Sequence, residues 1–201
     1  MFGQEKTIDF QVVATTMMGV VSETMNTMST EKFSDTPSAS AKYIYVNDHN
    51  RMLAKGSDKG YFGGCHIAVI NFFRTDRDLE KNIKACGAVV VYFRNDCLVK
   101  LFKAMGFPIE SEKDVGMLRD ICGEFCNIVA GSFKNELVRL GFINLPMSAP
   151  QIYLDNVDSG VAFSEGETKY HELSFYFWNV KALVVDVTLA PIPADKKLGE
   201  K

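Results

Sequence analysis

The chain has 201 residues and a net charge of −3, which gives no electrostatic case for nucleic acid or an anionic membrane as a partner. Its hydrophobic content of 47% and mean hydropathy of −0.01 are those of an ordinary soluble globular protein, and its length predicts one domain over 1–201 with room for a large core. No apolar run approaches the ~18 residues of a membrane-spanning helix, Met1-Phe-Gly-Gln-Glu-Lys does not read as a signal peptide, and there is no glycine-rich phosphate loop; a cytoplasmic protein is expected.

From Glu5 to Ser29 the pattern is helical: Val13, Met17, Val20, Val21, Met25 and Met28 recur mostly three or four residues apart. Their methionines read as core packing rather than an adaptable binding surface. Thr30 to Ala39, rich in Ser, Thr, Asp and Pro, reads as a loop, and Lys42 to Asn47 as a strand closed by a turn at Asp48-His-Asn. Tyr61 to Phe73 is a longer strand that Gly63-Gly64 is expected to bulge or bend. Arg74 to Lys84 is a loop or short helix, Ala88 to Phe93 a buried strand, and Cys97 to Met105 a short helix closed by Gly106.

A long helical pattern then runs from about Glu110 to Gly141, with Ser111 and the acids at 110, 112 and 114 suited to its positive end. Asn144 to Pro150 is extended. Gln151 to Leu154, Gly160 to Ser164, Tyr170 to Trp178 and Lys181 to Leu189 read as strands, with a tight hairpin at Asn179. The tail from Pro191 to Lys201 is expected to fray. The five cysteines (65, 86, 97, 122 and 126) are odd in number, lack a Cys-x2-Cys pair and should stay reduced. Cys122 and Cys126 stand four apart, but the three histidines are scattered, so no metal site is expected.

The chemistry concentrates on the long helix. Asp120, Glu124, Asn127 and Gly131 are separated by 4, 3 and 4 residues, which puts them on one stripe. Leu118, Ile121, Phe125, Ile128, Val129, Phe133, Leu137 and Leu140 fill most of the remaining circumference with apolar surface. The bland reading is a solvated face of a core helix. No nucleophile–base pair is evident, since Cys65 and His66 are strand neighbours and should point to opposite faces. A carboxamide is no strong base, but with donors and an acceptor it can orient a water. That suits a substrate whose leaving group is already good, such as an acyl phosphate.

Asp120-x3-Glu124-x2-Asn127, followed by 22 residues and Pro150, resembles the signature of the CheC/CheX/FliY family of chemotaxis phosphatases. The flanking Gly-Glu-Phe-Cys-Asn-Ile-Val-Ala-Gly-Ser-Phe-Lys is also similar to that family's active helix, and the single copy is most like CheX. The resemblance implies an α+β fold: a two-layer arrangement of long helices on a mainly antiparallel β-sheet. It implies a phosphatase acting on the aspartyl phosphate of a CheY-like response regulator. Asn127 would position the attacking water, Glu124 would pair with a receiver lysine, Asp120 would support them, and Pro150 would shape the chain after the helix. The receiver would supply Mg2+, and this chain would bind no cofactor. A homodimer joined through sheet edges is also implied, for which the strand-rich C-terminal third offers an edge. Glu23-x2-Asn26 on the first helix is a partial second copy; Gly19 and His49 stand where the motif needs an acid or serine and a proline, and the match reads as coincidence. The alternative function is a binding module that docks a receiver domain or another signalling protein without catalysis. Asn127 argues against it, because docking alone has no need of the amide.

Overall fold

A computed structural model describes residues 5–6, 8–44, 64–111, 113–157 and 168–193. Along the chain these form β1 (Glu5–Lys6), α1 (Phe10–Met28), β2 (Ser38–Ile44), β3 (Cys65–Phe73), α2 (Asp76–Lys81), β4 (Ala85–Arg94), α3 (Asn95–Ala104), α4 (Val115–Arg139), β5 (Gln151–Leu154), β6 (Thr168–Phe177), β7 (Val180–Leu189) and β8 (Ile192–Pro193). Six strands make one antiparallel sheet in the order β2-β6-β7-β4-β3-β5. The expected α+β class, with long helices packed on an antiparallel sheet, is therefore what forms.

Strand alternation decides where the helices sit. Ala68, Ile70 and Phe72 of β3 and Val89, Val91 and Phe93 of β4 point to the face that carries the helices. Cys65, Ile67 and Val69, with Ala88, Val90 and Tyr92, point to the other face and form a second cluster. Both strands are buried at every position, which is why they read as unbroken apolar runs rather than alternating ones. α4 crosses β3 and β4, α1 lies beside α4 and over β6, and α3 packs on β4. Phe93 of β4 meets Phe125 of α4 edge-on at 5.4 Å and Phe102 of α3 at 5.6 Å, so one ring ties two helices to the sheet.

Helix ends follow local chemistry more closely than periodicity. α1 starts at Phe10, not Glu5, because Asp9 caps it by accepting from Gln11 N at 2.8 Å. The residues before the cap are a strand: Glu5 and Lys6 pair with Pro193 and Ile192. The start of the tail is thus tied down, with Ile192 buried, where fraying was expected. α4 starts at Val115, capped by Asp114 Oδ1 accepting from Met117 N at 3.3 Å; Glu110 and Ser111 precede the helix. Trp178 and Asn179 both adopt positive φ (53° and 63°), giving the turn that the β6–β7 hairpin requires.

β2 begins at Ser38, four residues before the expected Lys42, and pairs with β6 from Ser38↔Ser174 to Ile44↔Thr168. An edge strand needs backbone partners on one side only, so small polar residues suffice for its start. β3 is described from Cys65 and has an irregularity between Phe72 and Phe73; the expected bulge or bend at Gly63-Gly64 falls partly outside the described residues. The expected turn at Asp48-His-Asn and the expected strand Gly160 to Ser164 lie outside the described residues. Among the described residues, the open edges of the six-stranded sheet are β2 and β5, while β6 and β7 of the strand-rich C-terminal third are interior.

All five cysteines are free and buried. Burial, with Asp155 beside it, pushes the Cys65 thiol up to about 12, and burial also holds Cys122 and Cys126 well above the usual thiol range. Thiol reagents should therefore find almost nothing in the folded protein and five thiols in denaturant. Rapid labelling without denaturant, or fewer than five thiols with it, would contradict this packing.

Candidate functional site

α4 is the longest helix among the described residues, at 25 residues. Its buried side comprises Leu118, Ile121, Phe125, Val129, Phe133 and Leu137, together with Cys122, Cys126 and Ala130. Two residues expected in the apolar set differ: Ile128 is half-buried, and Leu140, just past the helix, is 50% exposed. What remains outward is the polar stripe. Asp120 and Glu124 are exposed, and Asn127 and Gly131 are half-buried. None of these side chains is aimed into the core, so the stripe meets whatever lies over the helix.

Pro150 comes to the same place from the other direction. Its segment is fastened to β3: Phe73 N donates to Pro146 O at 2.8 Å, Ser148 N to Asn71 O at 2.9 Å, and Asn71 N to Ser148 Oγ at 3.1 Å. β5 then pairs with β3 from Val69↔Gln151 to His66↔Leu154. This brings Pro150 and Ile152 against Gly123, where an added Cβ would lie 3.5 Å from Pro150 Cγ and 3.4 Å from Ile152 Cδ1. Arg119, one residue before Asp120, donates from Nη2 to Ile152 O at 3.0 Å. The four motif residues read from the sequence are thus brought to one region: three along the helix, and the proline packed on the glycine that precedes Glu124.

The sequence reading missed Gly123 and Arg119. A glycine inside an otherwise well-formed helix costs ~1 kcal/mol relative to alanine, so its presence was a readable sign of close packing. Nothing in the spacing marked Arg119 as the residue that fastens β5. The partial second copy also has a location: Glu23 and Asn26 are exposed on α1, and Glu23 lies in a groove with Glu136 and Arg139 of α4. His49 lies outside the described residues.

The stripe contains two carboxylates, a carboxamide and no nucleophile. Among the described residues, no three His, Cys, Asp or Glu side chains converge as metal ligands. No described helix is long and apolar enough to cross a membrane. The chemistry such a stripe offers is electrostatic pairing by Glu124 and two-way hydrogen bonding by Asn127.

This arrangement is a polar stripe presented outward by a helix that packs on an antiparallel sheet. The family model for the chemotaxis phosphatase CheX matches residues 82–167, which include Asp120, Glu124, Asn127 and Pro150. No curated protein matches the chain. Among solved structures it is similar to a CheC-like superfamily protein from a Shewanella species, at 15% identity over 91% of this chain and 98% of that one, with a TM-score of 0.59. It is similar to CheX from Desulfovibrio desulfuricans at 16% identity over 89% and 99%, with a TM-score of 0.58. It is similar to the CheX–CheY–BeF3–Mg2+ complex from Borrelia burgdorferi at 13% identity over 92% and 99%, with a TM-score of 0.55. The resemblance read from the motif is borne out: the family model and these folds point to the CheC/CheX/FliY proteins, and to CheX among them.

Proposed function

We propose that this protein hydrolyses the aspartyl phosphate of a CheY-like response regulator. The observation that carries this reading is the outward stripe Asp120–Glu124–Asn127 on a rigid, well-packed helix, with Pro150 closed over Gly123 beside it. A phosphoaspartate is an acyl phosphate, so its leaving group needs little help; hydrolysis needs an in-line water and neutralised charge. Asn127 accepts from and donates to that water and orients it. Glu124 pairs with a lysine of the receiver and fixes the docking. Asp120, one turn earlier, supports that contact. Pro150 acts on shape, by holding β5 against the helix. The reading asks no metal of this chain, because charge neutralisation is left to the receiver's own Mg2+ and lysine. A solved relative in complex with CheY supports a receiver as the partner.

Glu124→Ala should weaken docking as well as turnover. Its loss should raise the receiver concentration for half-maximal rate by about tenfold, the scale of one charge-assisted hydrogen bond of ~1.5 kcal/mol. The assay is single-turnover decay of phosphorylated receiver over a range of concentrations of the variant, with Mg2+ present. An unchanged concentration dependence would remove Glu124 from the interface.

We also infer a homodimer joined edge to edge. Of the two described edges of the six-stranded sheet, β5 is four residues long and lies against the motif helix, whereas β2 is seven residues long and sits at the far end of the sheet. Pairing through β2 leaves the stripe open to a receiver. Sedimentation at tens of micromolar (roughly the range where a specific interface holds) should show a dimer; only a 22.4 kDa monomer would contradict it.

A further inference from the structure

α4 contains three glycines, Gly116, Gly123 and Gly131. Gly116 lies in the first turn, at an end where helices fray. Gly123 and Gly131 lie in the interior, where glycine costs a helix stability relative to alanine. Gly123 has its reason inside the fold, because a Cβ there would lie 3.5 Å from Pro150 Cγ and 3.4 Å from Ile152 Cδ1. Gly131 has no such reason. A Cβ on it would meet nothing within 4 Å, and its backbone is ordinary helix. Alanine would fit at 131 and would make the helix more stable. The use of glycine at this position therefore points outward, to something that meets the helix from its open side.

Gly131 closes the motif stripe. It is half-buried and follows Asn127 by one turn, a spacing of about 5–6 Å along the helix. The asparagine side chain is short, so its carboxamide stays close to the helix that carries it. To stand beside a phosphoryl group recessed in another protein, that amide needs the rim of the recess to come down almost to the helix backbone on both sides of Asn127. On the N-terminal side stands Glu124, exposed, whose long side chain can lean aside and pair with the rim. On the C-terminal side the residue one turn on sets how near the rim can come. Glycine at that position leaves no side chain in the way.

We propose that Gly131 is a docking residue of the same site: the rim of the receiver's phosphorylation site rests on its bare backbone, and this contact sets how deeply Asn127 enters. The proposal rests on the receiver-phosphatase reading and adds to it the residue that limits the approach.

The test is a series at one position, Gly131→Ala and Gly131→Leu. Each variant is followed by a urea melt and by single-turnover decay of a phosphorylated receiver that the parent protein dephosphorylates. Both substitutions improve helix propensity, so both should raise the urea midpoint. Both should slow dephosphorylation, in order of size. Gly131→Leu should lower the saturating rate by about 10²-fold, the effect of holding reacting groups ~1 Å out of place, and Gly131→Ala should lower it by less. The receiver concentration for half-maximal rate should rise in the same order. A structural role alone would move stability and activity down together. Gly19→Ala is the control. Gly19 is an exposed glycine inside α1, off the stripe, with nothing within 4 Å of its Cβ position. Its substitution should raise the urea midpoint and leave receiver decay unchanged. A folded Gly131→Leu variant that matches the active parent in rate and concentration dependence overturns this proposal alone. Gly19→Ala slowing decay as much as Gly131→Ala also overturns it, by assigning the loss to a stiffer fold. A parent protein that leaves every receiver's decay unchanged removes the phosphatase reading and this proposal with it.

Discussion

Asn127→Ala should lower the rate of receiver dephosphorylation by about 10²–10³ while leaving receiver binding nearly intact. The amide is proposed to act only as water attacks phosphorus, so its loss falls on the transition state rather than on the docked complex. The cost of one lost preorganised donor is about 2.7–4 kcal/mol, which sets that range. The side chain is half-buried at the outer face of α4, so shortening it opens no cavity in the core and should leave the fold unchanged. Single-turnover decay at saturating variant gives the rate, and its concentration dependence gives the binding. A variant that dephosphorylates as fast as the parent protein would replace the enzymatic reading with that of a docking module.

Phe125→Ala should destabilise the protein by about 3–5 kcal/mol, a large share of the 5–15 kcal/mol that a domain commonly has. Phe125 follows Glu124, is fully buried, and packs edge-on against Phe93, which in turn packs against Phe102. Removing the ring leaves a cavity where α4, β4 and α3 meet, and the surrounding elements are too well anchored to collapse into it. The measurement is a urea melt by far-UV circular dichroism, with the midpoint falling sharply and the slope retained. A loss below about 1 kcal/mol would mean that the motif helix is not seated on the sheet as described.

The comparison of these two neighbours shows which parts of the molecule the sequence could reveal. A helix of 3.6-residue period sorts its own faces, so the burial of Phe125 and the exposure of Glu124 were both legible from spacing. The strands β3 and β4 were legible for a similar reason, since unbroken runs such as Val89-Val90-Val91 have few other places to go. Pro150 was legible only as one position of a motif. Its contact with Gly123 depends on β5 pairing with β3, a long-range register that no local pattern encodes. The same holds for Glu5–Lys6, read as the start of a helix. Their strand exists because Ile192–Pro193, at the far end of the chain, arrives beside them. The cluster of His66, Asn95 and Asp155 was invisible for a third reason: the three residues come from distant segments of the chain and are collected by hydrogen bonds around Gly64 and Cys65.

The central claim is that a helical stripe with one carboxamide speeds the loss of phosphate from a receiver. The direct measurement is phosphate release from a panel of the host's receiver domains, each phosphorylated with a small acyl phosphate donor, with Mg2+ present, with and without this protein. The account predicts that at least one receiver loses its phosphate much faster when the protein is added, and that Asn127→Ala removes the acceleration. Unchanged decay for every receiver in the panel would contradict it.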